Sequence, residues 1–280
     1  MISRRHSRTL AGTVSLGCII VASISSAQDA GGLQAFATFR ESLIYSDNPD
    51  LIVNGDSETI SRTDLSFGIT STTRSSALEF TVGGAIEAGD RRGDSVDFVD
   101  GDVRLGFTQT SQNAELDLLA QYTESDVSDV PDPETTGGEL EFGLGTRETL
   151  FTSVGYQGGL AAPFSYGFSL SHRETDYRDT IDPGLVPEDE TTFALNFGFR
   201  VSSQLNLRFD ASVTNFSDES VVLTDRETQR LAFSAIYDVS PDLTLTAGIN
   251  RTEIETTTTG GTTNEDGFGA DLGFELDRLN

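Results

Sequence analysis

The sequence predicts an all-β protein, an antiparallel up-and-down transmembrane β-barrel of about twelve strands. The clearest evidence lies in residues 191–216, where apolar residues alternate with polar or small ones on both sides of a polar turn at 202–204. Successive strand residues point to opposite faces, so this pattern indicates a hairpin with one Phe-rich face and one polar face. Each predicted strand has about 9–11 residues, the length that a tilted strand needs to cross a bilayer. Strands of soluble sandwiches are usually shorter, at about 5–6 residues.

Composition is a second observation that favours a barrel. Only 36% of the 280 residues are hydrophobic, which is low for a soluble core of this size, and 28 are glycine. A membrane barrel tolerates this composition because only one face of each strand has to be apolar. Outside the N-terminal segment no run of 18 apolar residues occurs, which argues against membrane-spanning helices.

Charge narrows the set of partners. The chain has 18 basic residues, all arginine, and 45 acidic ones, for a net charge of −27. This balance disfavours nucleic acid and anionic lipid headgroups as partners. It suits a cell surface bathed in divalent cations or a saline habitat, while an ordinary acidic soluble surface is the alternative.

Residues 1–27 are predicted to be a secretory signal peptide, which leaves residues 28–280 as the barrel domain. Arg4, Arg5 and Arg8 form a positive start, 11–24 are apolar, and 25–27 are small residues at a cleavage site before Gln28. The alternative is a lipoprotein that is cut before Cys18. The signal-peptide interpretation leaves a mature chain without cysteine, and therefore without disulfides or thiol chemistry.

The remaining strands follow the same alternation. Short turns and longer, mostly acidic loops succeed each other, as in barrels with tight periplasmic turns and long external loops. The predicted strands include 33–45, 63–72, 193–201, 205–213 and segments around 78–86, 103–107, 116–122, 231–237, 243–249 and 268–276; the longer loops are 89–95, 124–138, 217–226 and 255–265.

The segment between Gly138 and Tyr177 fits either two or three strands. The interval from Phe142 to Phe197 is too short for an extra hairpin with its loop, and one extra strand would reverse the sides of all later turns. We therefore predict one long strand at 139–157, a turn at 158–163 and a return strand at 164–177.

Charged residues also occur on the polar parity of the strands, where they would face the barrel lumen. They predict either a channel lining that sets ion preference or a ladder of salt bridges that fills a narrow barrel. The candidate lumen-lining residues are Glu79, Arg104, Asp117, Arg200, Arg208, Asp210, Asp271 and Glu275.

The sequence gives no catalytic constellation, and we predict that the chain is not an enzyme and has no cofactor or metal centre. The one histidine after the leader, His172, has the parity of the apolar face, and the adjacent Ser171 points the other way. Loop carboxylates such as Asp129, Asp132 and Glu134 either bind divalent cations or only confer solubility, because they lack the regular spacing of a calcium loop.

The stretch LIYSDNPDL at 43–51 ends the first strand with an aromatic residue and a turn rich in Asp and Asn. With the leader and the strand pattern, it resembles the β-barrel porin 2 type of proteobacterial outer-membrane families, on Tyr45, Asp47 and Asn48. The resemblance implies a porin or a component of polysaccharide export. The implied partners are outer-membrane lipid, lipopolysaccharide and the barrel assembly machinery.

These observations predict an integral outer-membrane barrel, reached by export through the inner membrane, that passes small solutes by diffusion. The alternative is a structural or adhesive surface barrel, or a polysaccharide-export component, without an open pore. Residues 277–280 lack the terminal aromatic residue of outer-membrane barrels, and the apolar face of the first strand is weak. We therefore expect either a longer natural chain with further hairpins or an open sheet.

Overall fold

A computed structural model describes residues 32–47, 57–89, 95–127, 145–180, 184–220, 222–240 and 242–276. These residues form twelve β-strands that follow one another along the chain. Their bounds are β1 Gly32–Asp47, β2 Ser57–Thr72, β3 Ser76–Gly89, β4 Ser95–Thr110, β5 Ala114–Asp126, β6 Thr146–Gly158, β7 Phe164–Arg178, β8 Glu188–Arg200, β9 Leu205–Asp218, β10 Thr224–Ser240, β11 Leu243–Thr258 and β12 Gly261–Leu276.

All twelve strands belong to one antiparallel up-and-down sheet in which each strand pairs with its neighbours in sequence. Within the described residues, β1 pairs only with β2, and β12 pairs only with β11, so the sheet has the open form that the sequence analysis expects. The edge is visible in the exposure of β12: Phe268 is 80% and Leu272 85% exposed, whereas Phe233 and Phe197 inside the sheet are 43% and 38% exposed.

The two faces of the sheet differ sharply in chemistry. On the face that we call the apolar face, aromatic residues oppose each other across strands, as in the row Phe197, Phe209 and Phe233. The rings of Phe197 and Phe209 stack with centroids 6.3 Å apart. In the described residues only three apolar side chains are buried, Ile60, Ala85 and Val127. So large an exposed apolar surface without a packed core needs lipid against it.

The apolar face has two levels. Towards the short turns near 73–75, 111–113, 159–163 and 201–204 it is lined by Phe, Leu and Val, and we call this part the apolar band. Towards the opposite, loop-side ends of the strands the same face becomes polar, with His172, Thr191, Asn215 and Glu227 in one hydrogen-bonded register. The strands have 13–17 residues, longer than the predicted 9–11, because they continue past the apolar band.

The prediction of a single strand before the turn at 158–163 is confirmed. β6 contains Arg147 and Glu148 and pairs with β5 on one side and β7 on the other. Residues 139–144 of the predicted strand lie outside the described residues, as do the leader at 1–27, Cys18 and the carboxylates at 129, 132 and 134.

The prediction of a long loop at 255–265 is wrong. β11 continues to Thr258 and β12 begins at Gly261, so only two residues connect them. Threonine is β-branched and favours strands, and the hydroxyls of Thr257 and Thr262 are 3.0 Å apart across the ladder. The predicted loop at 124–138 loses residues 124–126 to β5, and the predicted loop at 217–226 loses 217–218 to β9 and 224–226 to β10. In the residues that the structure describes, no helix is long and apolar enough to cross a membrane.

Candidate functional site on the polar face of the sheet

The ladders place all eight candidate residues on the same face of the sheet, opposite the apolar band; we call it the polar face. Strand pairing connects them because directly opposite residues point to the same side. Glu79 stands opposite Gly106, which lies two residues from Arg104 on β4, and β4 pairs with β5, which carries Asp117. From Asp117 the pairing crosses β6 and β7 to β8 and β9, which carry Arg200, Arg208 and Asp210. From Arg208 it passes through Ser234 and Gly248 to Asp271, on the same strand as Glu275.

Three of the eight line one groove. Glu79, Arg104 and Asp117 lie on β3, β4 and β5 around a concavity of about 430 Å³. Arg104 Nη1 donates a hydrogen bond to Gln121 Oε1 at 3.2 Å, and its Nε lies 4.0 Å from Glu79 Oε2. The Thr108 hydroxyl donates to Asp117 at 2.8 Å. The groove therefore carries one arginine between two carboxylates, all partly exposed.

The other five fall into separate places on the same face. Arg208 Nε pairs with Asp210 at 2.8 Å within β9, and Arg200 stands opposite Asn206. Asp271 lies flat against Gly248, where an added Cβ would come within 2.5 Å of its carboxylate. Glu275 stands opposite Thr244 near the turn-side end. The structure thus spreads the predicted charges along the face and joins them only in small groups.

A charged cluster that sequence reasoning missed surrounds Arg62. Its guanidinium contacts Asp64 at 2.9 Å, Glu87 at 2.9 Å and Asp100 at 2.6 Å, and its side chain is 24% exposed. Asp100 has a positive φ of 52° beside an irregularity in the β3–β4 register, which turns its carboxylate toward Arg62. The prediction missed the cluster because it began the second strand at 63; the spacing of Arg62 and Asp64 on one parity was the available signal.

Sequence reasoning also missed three arginine–aromatic pairs on the polar face. The guanidinium carbon lies over the ring at 5.9 Å for Arg147 and Tyr177, at 5.5 Å for Arg173 and Phe151, and at 4.8 Å for Arg226 and Phe216. These distances are in the range of cation–π contacts. Each pair spans two adjacent strands, which is why the sequence pattern alone did not reveal it.

His172 lies on the apolar-face side above the band, as its parity predicts. Its Nδ1 is 3.0 Å from the Thr191 hydroxyl, and its Nε2 is 3.6 Å from Asp189 Oδ2. Ser171 belongs to the polar face, opposite Thr192. Within the described residues no group of three or more His, Cys, Asp and Glu is arranged to hold a metal ion.

The architecture defines a class. The sheet is antiparallel and up-and-down, and its strands are long enough to cross a bilayer at a tilt. One face carries an apolar band, and the opposite face is charged and rich in glycine. This is the fold of outer-membrane β-barrels, and such a surface is stable in the outer membrane. The chain is therefore an outer-membrane protein.

Comparison with solved structures finds similarity to outer-membrane proteins. The chain is similar to outer-membrane expressed OmpT of Vibrio cholerae, at 11% identity over 89% of this chain and 98% of that one, with a TM-score of 0.42. It is also similar to the in-vitro folded trimer form of that outer membrane protein, at 12% identity over 88% and 99% of the chains, with a TM-score of 0.43. No protein-family profile and no curated protein matches the sequence, so the resemblance to the β-barrel porin 2 type is not confirmed.

The prediction that the chain is not an enzyme is corrected here. The solved structures that it resembles are outer membrane proteins named OmpT, and a likeness at 11–12% identity concerns the fold alone. A shared fold does not determine whether a barrel catalyses a reaction. The missing Ser/His/carboxylate arrangement therefore no longer serves to exclude enzymatic activity.

Proposed function

We propose that the protein is a porin-like channel through which small solutes diffuse across the outer membrane. The observation that carries this proposal is the way in which polar side chains lie on the polar face. Many of them stand opposite a glycine of the neighbouring strand and lie flat in the space that the glycine leaves, as Asp271 does on Gly248.

The same arrangement recurs along the sheet. Asn196 covers Gly167 and Asn250 covers Gly269, each within 2.8 Å of where a Cβ would be. Asp102 covers Gly83 and Ser165 covers Gly198. In a barrel filled by its own side chains, large residues project inward and interdigitate. A wall of glycines with polar groups lying against it instead leaves the space in front of the sheet for water.

The lining charges fit a weakly selective aqueous path. Arg104 between Glu79 and Asp117, and Arg208 beside Asp210, place both signs on the wall. Exposed pairs of this kind are screened by water and cost little to keep, so they suit a wet lumen. Ion preference would then depend on the balance of positive and negative charges on the polar face.

The proposed channel reaches the outer membrane by export through the inner membrane. Residues 1–27 act as a signal peptide, and N-terminal sequencing of the membrane fraction is expected to return a chain that begins near Gln28; a lipid-modified Cys18 would contradict this. The barrel assembly machinery, lipopolysaccharide and divalent cations at the acidic loops are the proposed partners.

Planar-bilayer recording of the purified protein tests the channel. We expect discrete conductance steps, and Gly248→Leu is expected to lower their height because the added side chain fills the lumen and displaces Asp271. The matched control is Ala247→Leu, which adds the same side chain on the apolar face of the same strand and should leave the steps unchanged. A folded, membrane-inserted protein without steps would favour a structural or adhesive barrel instead.

A further inference from the structure

One row of side chains across the polar face combines arginine with phenylalanine. The row follows the strand pairing from β4 to β10, so its members are direct cross-strand neighbours. They are Arg104, Gln121, Phe151, Arg173, Glu190, Phe216 and Arg226, and we call them the Arg–Phe row.

Two of the three arginines of the row, Arg173 and Arg226, lie over aromatic rings and remain accessible. The guanidinium of Arg173 lies over Phe151 at 5.5 Å, and that of Arg226 over Phe216 at 4.8 Å, while both arginines are exposed. A ring beneath the guanidinium fixes the orientation of its N–H groups without consuming them as donors. Arg173 and Arg226 therefore present oriented, unconsumed donors beside flat apolar surfaces.

Rows of hydroxyl side chains flank the Arg–Phe row on both sides. On the turn side these are Ser153, Ser171, Thr192, Thr214 and Thr228. On the loop side they are Thr123, Thr149 and Thr224, with the buried Thr175 and the carboxylates Glu188 and Asp218 between them. The Arg–Phe row is thus flanked by short side chains that donate and accept hydrogen bonds.

The row changes its level in the membrane from one end to the other. At β10 the neighbours of Arg226 in sequence are Asp225 and Glu227, above the apolar band, whereas at β4 those of Arg104 are Val103 and Leu105, within it. Strands spaced about 4.8 Å apart and tilted by about 40° move such a row roughly 3 Å along the barrel axis per strand. The row leads from the loop-side mouth into the membrane and ends at the groove of Arg104.

We propose that the Arg–Phe row is a binding path for acidic saccharides, which rests on the proposed channel and names the class of its solute. A uronate ring has an apolar C–H face that stacks on phenyl and guanidinium planes. Its carboxylate accepts paired hydrogen bonds from arginine, and its hydroxyls match the Ser and Thr rows. The hydroxyl rows favour a saccharide over an aromatic acid such as benzoate, which has no hydroxyls. The row carries three arginines and one carboxylate, Glu190, in a chain whose net charge is −27.

The test uses the full-length protein in planar bilayers with trigalacturonate, maltotriose and benzoate as probes. Trigalacturonate is expected to block the current reversibly, whereas maltotriose and benzoate at the same concentration are not. Equal block by maltotriose, or block by benzoate alone, would overturn the assignment of acidic saccharides.

Paired variants test the row itself. Arg226→Gln removes a charge from the row, and Arg230→Gln removes the same charge from the same strand and face, four residues away and outside the row. The first is expected to raise the half-blocking concentration of trigalacturonate about tenfold, the effect of losing one charge-assisted pair, and the second less than about twofold. Phe216→Leu, which keeps an apolar side chain but removes the flat ring, should also weaken the block. Equal effects of the two arginine variants would overturn the proposal.

Equilibrium dialysis of trigalacturonate against the protein in detergent separates the two proposals. Binding that depends on Arg226 without conductance would refute the channel and leave the row as a saccharide-binding site only. Conductance without binding would keep the channel and refute the path.

Discussion

The turn-side and loop-side halves of the sheet share one hydrogen-bond ladder but face different surroundings. In the turn-side half, one face carries stacked aromatic residues such as Phe164 and Phe197, with centroids 6.3 Å apart. In the loop-side half the same face carries ion pairs, such as Arg178 with Glu124 at 3.2 Å and Arg251 with Asp266 at 3.0 Å.

The difference shows that strand pairing does not stop where the membrane does. Backbone hydrogen bonds extend the strands in lipid and in water alike, while the side chains change with the solvent. The membrane therefore determines over which length of a strand the outward-facing side chains are apolar, whereas backbone pairing determines where the strand ends.

The largest expected effect breaks the apolar band. Phe209→Arg places a charge on the lipid side of the turn-side half and should destabilise the protein by roughly 2–4 kcal/mol, measured by denaturant unfolding from lipid vesicles. Asn206→Arg, on the polar face of the same strand, and Asn215→Arg, on the apolar face of the loop-side half, are the controls and should cost at most about 1 kcal/mol. If all three variants unfolded alike, the assignment of faces and levels would be refuted.

The next effect compares a turn of each half. Gly159 in the turn-side connection has a φ of +77°, and a Cβ there would collide with the Phe164 carbonyl. Gly159→Ala should therefore cost about 1–3 kcal/mol in the same unfolding measurement. At Gly260 in the loop-side turn, the nearest atom to an added Cβ is the Thr258 hydroxyl at 3.6 Å, and Gly260→Ala should change stability by less than about 0.5 kcal/mol. A larger loss at Gly260 would contradict the contrast between the turns.

A smaller effect concerns a loop-side cap. Burial of Asp218 raises its pKa, but hydrogen bonds from Ser220 and from the Thr224 backbone outweigh this and leave the pKa below its usual value. The ionised carboxylate therefore stabilises the fold above the unfolded pKa of about 3.9, and this contribution is lost as the pH falls through the lower folded value.

Asp218→Asn should accordingly lower stability by about 1 kcal/mol at pH 7, and the difference from the wild type should shrink below about pH 4. Unfolding curves at a series of pH values measure this. A difference that is constant with pH would mean that the charge of Asp218 contributes nothing.

The smallest effect concerns an exposed pair on the loop side. Arg251 contacts Glu253 at 3.1 Å and Asp266 at 3.0 Å, with its side chain 46% exposed. Arg251→Gln should cost only about 0.2–1 kcal/mol at low salt and nothing measurable near 1 M salt, where such pairs are screened. A loss that persists at high salt would indicate packing on Phe268 rather than charge as its origin.

The alternation of the sequence by itself determined the class of fold, the order of the strands and the faces of residues in the apolar band. Side-chain parity is a local property with a period of two, so Phe197 and Arg208 could be assigned to opposite faces without any knowledge of their neighbours. The same reasoning placed His172 with the apolar parity, while the interval from Phe142 to Phe197 led to a single strand before the turn at 158–163.

Only the tertiary structure decided which side chains meet. The Arg62 cluster joins three strands, the Arg–Phe row crosses seven, and the continuation of β11 and β12 past the predicted loop depends on Thr257 facing Thr262. These contacts depend on the register between strands, which turn geometry and cross-strand packing determine together. A one-residue slip would move every side chain of a strand to the other face, so no single segment of the sequence contains this information.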